Sequence, residues 1–197
     1  MNDLQGKRVA ILLTDGFEQI EMTSPREALE KAGAKVTLIA PKPGKVQGFK
    51  HHDKADQFDA GMKLEDAKPS EFDAVMLPGG VINADALRVE KKAQQFVQEM
   101  ERAGKPIAVI CHGPWLLVSA GLMKDRHITS WSTLQDDLRN AGARWEDKEC
   151  IRDRTWVSSR KPDDLPVFNR EMVRLFQEIQ PAKSMQPGRS DPLEVRS

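Results

Sequence analysis

The sequence predicts a doubly wound α/β fold, a mostly parallel sheet sandwiched between helices. Three observations carry this expectation: short, nearly continuous apolar runs of the kind buried on both faces of a parallel sheet, helical segments alternating with them, and glycine or proline at most junctions. The chain of 197 residues fits one domain with a sizeable core, placed over residues 1–179, with a mobile tail over 180–197 where the composition turns to Pro, Lys, Ser, Gly and Arg.

Arg8 to Leu13 is the first strand, and Thr14-Asp15-Gly16-Phe17 the turn that follows. Pro25 suits an early helical position with Ser24 as its cap; Ala28, Leu29 and Ala32 supply an apolar face and Gly33 the stop. Val36 to Ala40 is the second strand and completes a βαβ unit. Residues 41–68 have only isolated apolar positions and read as short hairpin strands and loops. Asp73 to Leu77 is a buried strand ending in Pro78-Gly79-Gly80, and the stretch from Val81 to Ala86 reads as a loop. Glu90 to Ala103 is a helix with Ala93, Phe96, Val97 and Met100 on one face. Pro106 to Ile110 is a fourth strand and Gly113 to Ala120 a short helix. Thr133 to Ala141 is a helix flanked by short strands near Ile128 and Trp145. Cys150 to Arg152 and Thr155 to Ser158 form a hairpin around Asp153-Arg154, and Asp164 to Ile179 is the last helix.

Lys plus Arg and Asp plus Glu both number 30, so no basic excess favours stable nucleic-acid or membrane-surface binding. No basic segment leads into an apolar stretch at the start, and no run is long enough to span a bilayer. Two cysteines fit a reducing compartment better than a disulfide scaffold, so the expected location is the cytoplasm. C-x-x-C, H-E-x-x-H and G-x-G-x-x-G patterns are absent, so neither a metal nor a dinucleotide cofactor is expected. His51-His52 would point to opposite faces of a strand and chelate poorly, and His127 stands alone.

Ligands of open α/β sheets collect at the carboxyl ends of the strands. Three such ends are unusual here: Asp15 to Glu21, Pro78-Gly79-Gly80, and Cys111-His112-Gly113-Pro114. Cys111 lies at a strand-to-helix corner, where the helix dipole and free N–H groups favour a thiolate and lower its pKa. The corner is like a nucleophile elbow, although Val109 stands where a G-x-S-x-G motif has its first glycine. The competing reading is a buried structural cysteine, which is also the reading for Cys150. His112 can serve as a base near Cys111 or be oriented elsewhere, since neighbours at a turn often point apart. The backbone N–H groups of Gly80 and His112 could form an oxyanion hole, or Gly79-Gly80 could be an ordinary tight turn. Glu18 and Glu21 share a face if their stretch is helical. A carboxyl against a thiolate must carry a proton, which requires a pKa raised by desolvation; two solvated acids are the simpler reading.

These three segments resemble the signatures of the ThiJ/PfpI superfamily, which includes PfpI intracellular peptidases, general stress proteins and protein deglycases. The similarity extends through Asn140 to Ala143, Trp156 to Arg160 and Pro162 to Pro166, and leaves out the tail. The resemblance implies a flavodoxin-like fold akin to class I glutamine amidotransferases. It implies Cys111 as nucleophile, Glu21 as the acid bonded to its sulfur, His112 as the neighbouring histidine and Gly80 as the oxyanion-hole glycine. It also implies a homodimer or hexamer in which a partner's acid completes the site; the match falls near Asp85, in a loop one residue longer than usual. Two departures are Trp115, where Gln is frequent and where the indole would re-line the pocket, and Gln19 in place of a common Asp.

The resemblance brings three activities: peptidase, glutathione-independent glyoxalase, and deglycase on proteins or nucleotides carrying methylglyoxal or glyoxal. For the last two, a Cys111 thiolate would attack a carbonyl of these small compounds or their adducts, and His112 and Glu21 would relay protons toward lactate or glycolate. A peptidase would use the same attack, with His112 supplying the proton to the leaving amine. Glutamine amidotransferase activity is excluded, because that class needs a downstream His-x-Glu and position 129 is Thr. The rival of another class is a redox sensor or stress chaperone acting through oxidation of Cys111 to a sulfinate.

Overall fold

The apolar run after Lys7 forms strand β1 (Arg8–Leu12), followed by a two-residue strand β2 (Phe17–Glu18) and helix α1 (Gln19–Lys31). The computed structural model describes residues 4–178. β3 (Lys35–Ala40) lies parallel to β1, with Arg8 opposite Lys35 and Leu12 opposite Ile39. An antiparallel hairpin, β4 (Gly44–Lys50) and β5 (Asp53–Ala60), stands apart and pairs with β2, before β6 (Met62–Lys63) returns to the edge beside β3. Then come β7 (Ala74–Leu77), α2 (Val81–Arg88), α3 (Lys91–Arg102), β8 (Ile107–Ile110) and α4 (Pro114–Ser119). The chain continues through β9 (His127–Ile128), α5 (Gln135–Asn140), β10 (Arg144–Trp145), β11 (Cys150–Asp153), β12 (Trp156–Ser159) and α6 (Leu165–Glu178).

The main sheet has the order β11-β12-β8-β7-β1-β3-β6, with only β11 antiparallel. Alternation along β1 divides the core. Val9 and Ile11 face the α1/α6 layer, where Met22, Leu29, Phe168 and Met172 pack; Ala10 and Leu12 face the layer holding Phe96, Val97, Leu116 and Leu138. The doubly wound expectation is met, and helices cover both faces of the strands. Chain order reverses on either side of β1, since β3 follows on one flank and β7 on the other, so the loops after β1 and β7 part there and leave a crevice.

Three expectations are corrected. Helix α1 begins at Gln19, so Ser24 is no cap and Pro25 lies inside the helix. Proline there removes only the one N–H that would have reached the Glu21 carbonyl, and Pro25 is a buried contact. Ser24 instead accepts a hydrogen bond from Asn169 of α6 at 2.8 Å, tying the two helices together. The stretch after Gly80 is a helix and not a loop, despite Val81 and Ile82 being more than half exposed. His51 and His52 occupy the turn joining β4 to β5, with His51 at φ 58°, so they do not alternate across a strand. Among the described residues, no helix is long and apolar enough to cross a membrane. The expected domain end at 179 and the tail over 180–197 lie outside the described residues.

Candidate active site

Strand β8 is wholly buried, and the residue after it, Cys111, adopts φ 60°. A left-handed conformation at a side-chain-bearing residue is strained by roughly 1–3 kcal/mol and persists where its surroundings over-determine it. Here the Cys111 N–H donates to the Ser159 carbonyl at 3.1 Å, and the Cys111 carbonyl accepts from the Trp131 N–H at 3.0 Å. The twist turns the sulfur toward the crevice. His112 Nδ1 lies 3.2 Å from Cys111 Sγ, so the neighbours converge. The imidazole is packed edge-on to Trp115 and stacked near Trp131, with centroids 5.4 and 6.0 Å away. Burial pushes its pKa down to about 4, leaving it neutral at ordinary pH.

Glu21 projects from the first turns of α1 and is fully buried. Its Oε2 accepts the Gly79 N–H at 3.0 Å, while Oε1 has no hydrogen-bond partner. Desolvation, and then the charge of Glu18, push the Glu21 pKa up to about 8, and its carboxyl lies against the Cys111 thiol. The solvated-acid reading is therefore overturned. Glu18 is almost buried too, but it ends β2 and precedes α1, so the pair does not share a helical face. Its Oε2 accepts the His51 N–H at 2.9 Å.

The expected depression of the Cys111 pKa is also corrected. Burial pushes the thiol upward and a charge on Glu21 pushes it further, against the pull of the Gly80 and His112 N–H groups aimed at the sulfur. The helix after it, α4, has six residues, too short a dipole to overcome desolvation. Two adjacent buried acids titrate as a pair. The first proton to leave meets no charge, and the second must leave a site already negative. A thiolate is compatible with this pocket only while Glu21 keeps its proton.

Gly79 and Gly80 are required by close approach. A Cβ on Gly79 would stand 2.6 Å from the Cys111 Cβ and 3.0 Å from its sulfur. Gly80 has φ 88°, and a Cβ there would meet the Glu18 nitrogen at 2.6 Å. The turn is pinned by a residue that the sequence did not single out. Asn83 on α2 is fully buried; its amide donates to the Pro78 and Gly79 carbonyls at 3.2 and 3.0 Å, and its Oδ1 accepts the Thr14 N–H at 2.8 Å. Its only signal was an amide one turn after a Gly-Gly. Asn83→Leu, similar in volume, leaves those backbone groups without partners and should cost about 3 kcal/mol in urea unfolding. A loss below about 1 kcal/mol would mean that water takes over these bonds.

A cavity of about 520 Å³ opens above the sulfur, lined by Cys111, Glu21, Glu18, Gly80, both hairpin histidines and the two indoles. Trp115 forms one wall, its Nε1 donating to Asp137 at 2.8 Å and its ring covered by the Arg88 guanidinium at 5.1 Å. Asp85 is exposed on α2, away from this lining. Cys150 is half-buried at the sheet edge, its pKa pushed up to about 12 by burial and then by Glu171, which leaves it inert as a nucleophile. Among the described residues, no group of three or more His, Cys, Asp or Glu side chains is placed to hold a metal ion. The site can therefore present a sulfur nucleophile, a neutral imidazole base, a carboxyl that retains its proton and two N–H donors.

Residues 7–175 match the DJ-1/PfpI family. A deglycase of Thermococcus kodakarensis is 41% identical over 169 residues, covering 86% of this chain and 99% of that one. Protein/nucleic acid deglycase 2 of Escherichia coli K12 is 41% identical over 171 residues, covering 86% and 98%. Among solved structures, a two-domain protein of Anabaena variabilis with DJ-1/ThiJ/PfpI-like and ferritin-like domains superposes with a TM-score of 0.81 at 31% identity. That match covers 92% of this chain and 52% of the other, so the chain spans about half the length of that protein.

Proposed function

The chain belongs to the DJ-1/PfpI family, and from that premise we propose that it is a cysteine-dependent deglycase acting on early methylglyoxal or glyoxal adducts of amines. The observation that carries the reading is the placement of Glu21, raised to about 8, against a sulfur that also meets the His112 imidazole at 3.2 Å. The relatives at 41% identity named as deglycases support it.

The Cys111 thiol releases its proton to water and its sulfur attacks the carbinol carbon of an adduct R–NH–CH(OH)–CO–CH3. The C–N bond breaks and the amine leaves with a proton drawn from Glu21 or water, giving a hemithioacetal. Neutral His112 takes the hydrogen from the sulfur-bearing carbon and returns it to the adjacent carbon, through an enediol whose oxygens face the Gly80 and His112 N–H groups. The resulting thioester is hydrolysed by one water to lactate and free thiol. The sum, adduct plus water giving amine plus lactate, needs no oxidant. Free methylglyoxal enters at the hemithioacetal stage. Peptide hydrolysis is the second reading; its leaving amine would also have to draw a proton from Glu21 or water, since His112 has a pKa near 4. Exposed Val81, Ile82 and Asp85 on α2 favour contact with a second copy of the chain.

The test is lactate release from methylglyoxal-treated Nα-acetyl-lysine, followed with the recovered free amine. Equal release of both is expected. Lactate formation no faster than with an equimolar free thiol would defeat the reading.

A further inference from the structure

A second cavity of about 610 Å³ adjoins the reactive one and shares Glu18, His51, Trp131 and Pro162 with it. The two are neighbouring chambers that meet along those four residues. The reactive chamber alone, at about 520 Å³, exceeds what the carbonyl needs. Methylglyoxal has five heavy atoms and fills roughly 100–150 Å³ at a water-like volume per atom. The second chamber is thus free for the part of a substrate that leaves.

Its walls combine apolar surface with cations. Ile20, Ala55 and the Trp131 face supply the first; Lys50 at the end of β4 and Lys161 in the loop after β12 supply the second. Two carboxylates, Glu18 and Asp163, stand on the same walls. Glu18 accepts the His51 N–H at 2.9 Å, and Asp163 pairs with Lys161 at 3.1 Å. Lys50 has no ion-pair partner among the described residues. The loop bearing Lys161 is held by Arg160, which grips Asp164 through two hydrogen bonds of 2.8 and 3.0 Å.

Resting on the deglycase reading, we infer that this chamber binds the departing amine and selects amines whose apolar body ends in an anion, a phosphate or a carboxylate. Lys50 is its principal contact. Lys161, already paired with Asp163, stands beside it, and Trp131 and Ile20 cover the body of the leaving group.

The experiment compares kcat/KM for methylglyoxal adducts of two matched pairs: Nα-acetyl-lysine against its carboxamide, and guanosine monophosphate against guanosine. The anionic member of at least one pair should be favoured by about threefold, mainly through KM, as for one partly screened charge pair. The preference should shrink at high salt. A preference within the nucleoside pair alone identifies phosphate, and within the lysine pair alone carboxylate. Lys50→Gln and Lys161→Gln should bring the ratio toward one while leaving turnover of free methylglyoxal unchanged. Equal rates within both pairs, or a preference for the uncharged members, would overturn the inference while the deglycase reading stands. Absence of turnover with free methylglyoxal and every adduct would defeat both.

Discussion

Cys111→Ser is expected to lower lactate formation by about four orders of magnitude without unfolding the protein. A serine hydroxyl is far less acidic than a thiol, so in this buried pocket it stays protonated and is a poor nucleophile. The shorter C–O bond also draws the attacking atom back from the substrate. The fold has little reason to respond. Serine can keep φ 60°, because that conformation is imposed by backbone bonds to Ser159 and Trp131. Its hydroxyl finds polar partners where the sulfur sat, so stability should stay within about 1 kcal/mol. Activity is read by lactate release and folding by a thermal melt on the same sample. Residual activity within tenfold of wild type would place the carbonyl chemistry elsewhere and remove Cys111 from the mechanism. Cys150 is a poor substitute, being held protonated to about pH 12.

The sequence revealed the sheet and the three loops that meet at its carboxyl edge, because parallel strands buried on both faces read as unbroken apolar runs. β1, β7 and β8 are of that type. It misplaced the start of α1, since a proline preceded by serine is a strong local helix-start signal. Tertiary packing overrode it by burying Glu21, Met22 and Pro25 together. Helix α2 was missed because its apolar residues are split between the buried Ala84 and Leu87 and the exposed Val81 and Ile82, which blurs any periodicity. Cys111, Glu21, His112 and Gly80 were legible from their motifs. The hairpin histidines and Asn83 were not, because both enter the site through long-range packing: β4 pairs with β2, and Asn83 reaches across to Thr14. Sequence distance hides such contacts. The sign of the Cys111 shift was hidden as well, since desolvation depends on what surrounds the corner and not on the corner itself.

Glu21→Gln should make the protein more stable at alkaline pH while removing most of its activity. Glu21 has an ordinary value of 4.5 and is raised to about 8, first by burial and then by the charge of Glu18. Between those values the folded chain holds a proton that the unfolded chain has released, so stability falls as pH rises. His112 works in the opposite sense. Its pKa drops from 6.5 to about 4 by burial, so the unfolded chain binds the extra proton and stability rises with pH across that range. The two slopes oppose each other up to pH 6.5, and from there to pH 8 Glu21 acts alone. At 1.36 kcal/mol per pH unit, the wild type should lose about 2 kcal/mol across that window. Glutamine has no proton to lose, can still accept the Gly79 N–H, and should show a flat profile there by urea unfolding. Its activity should fall about 10- to 100-fold for want of a proton to donate, and the alkaline limb near pH 8 should disappear from the rate profile. Parallel stability curves for wild type and variant between pH 6.5 and 8 would mean that Glu21 is already ionised in the folded protein. Beside a buried carboxylate the sulfur would then remain a thiol, and the site would lack its nucleophile.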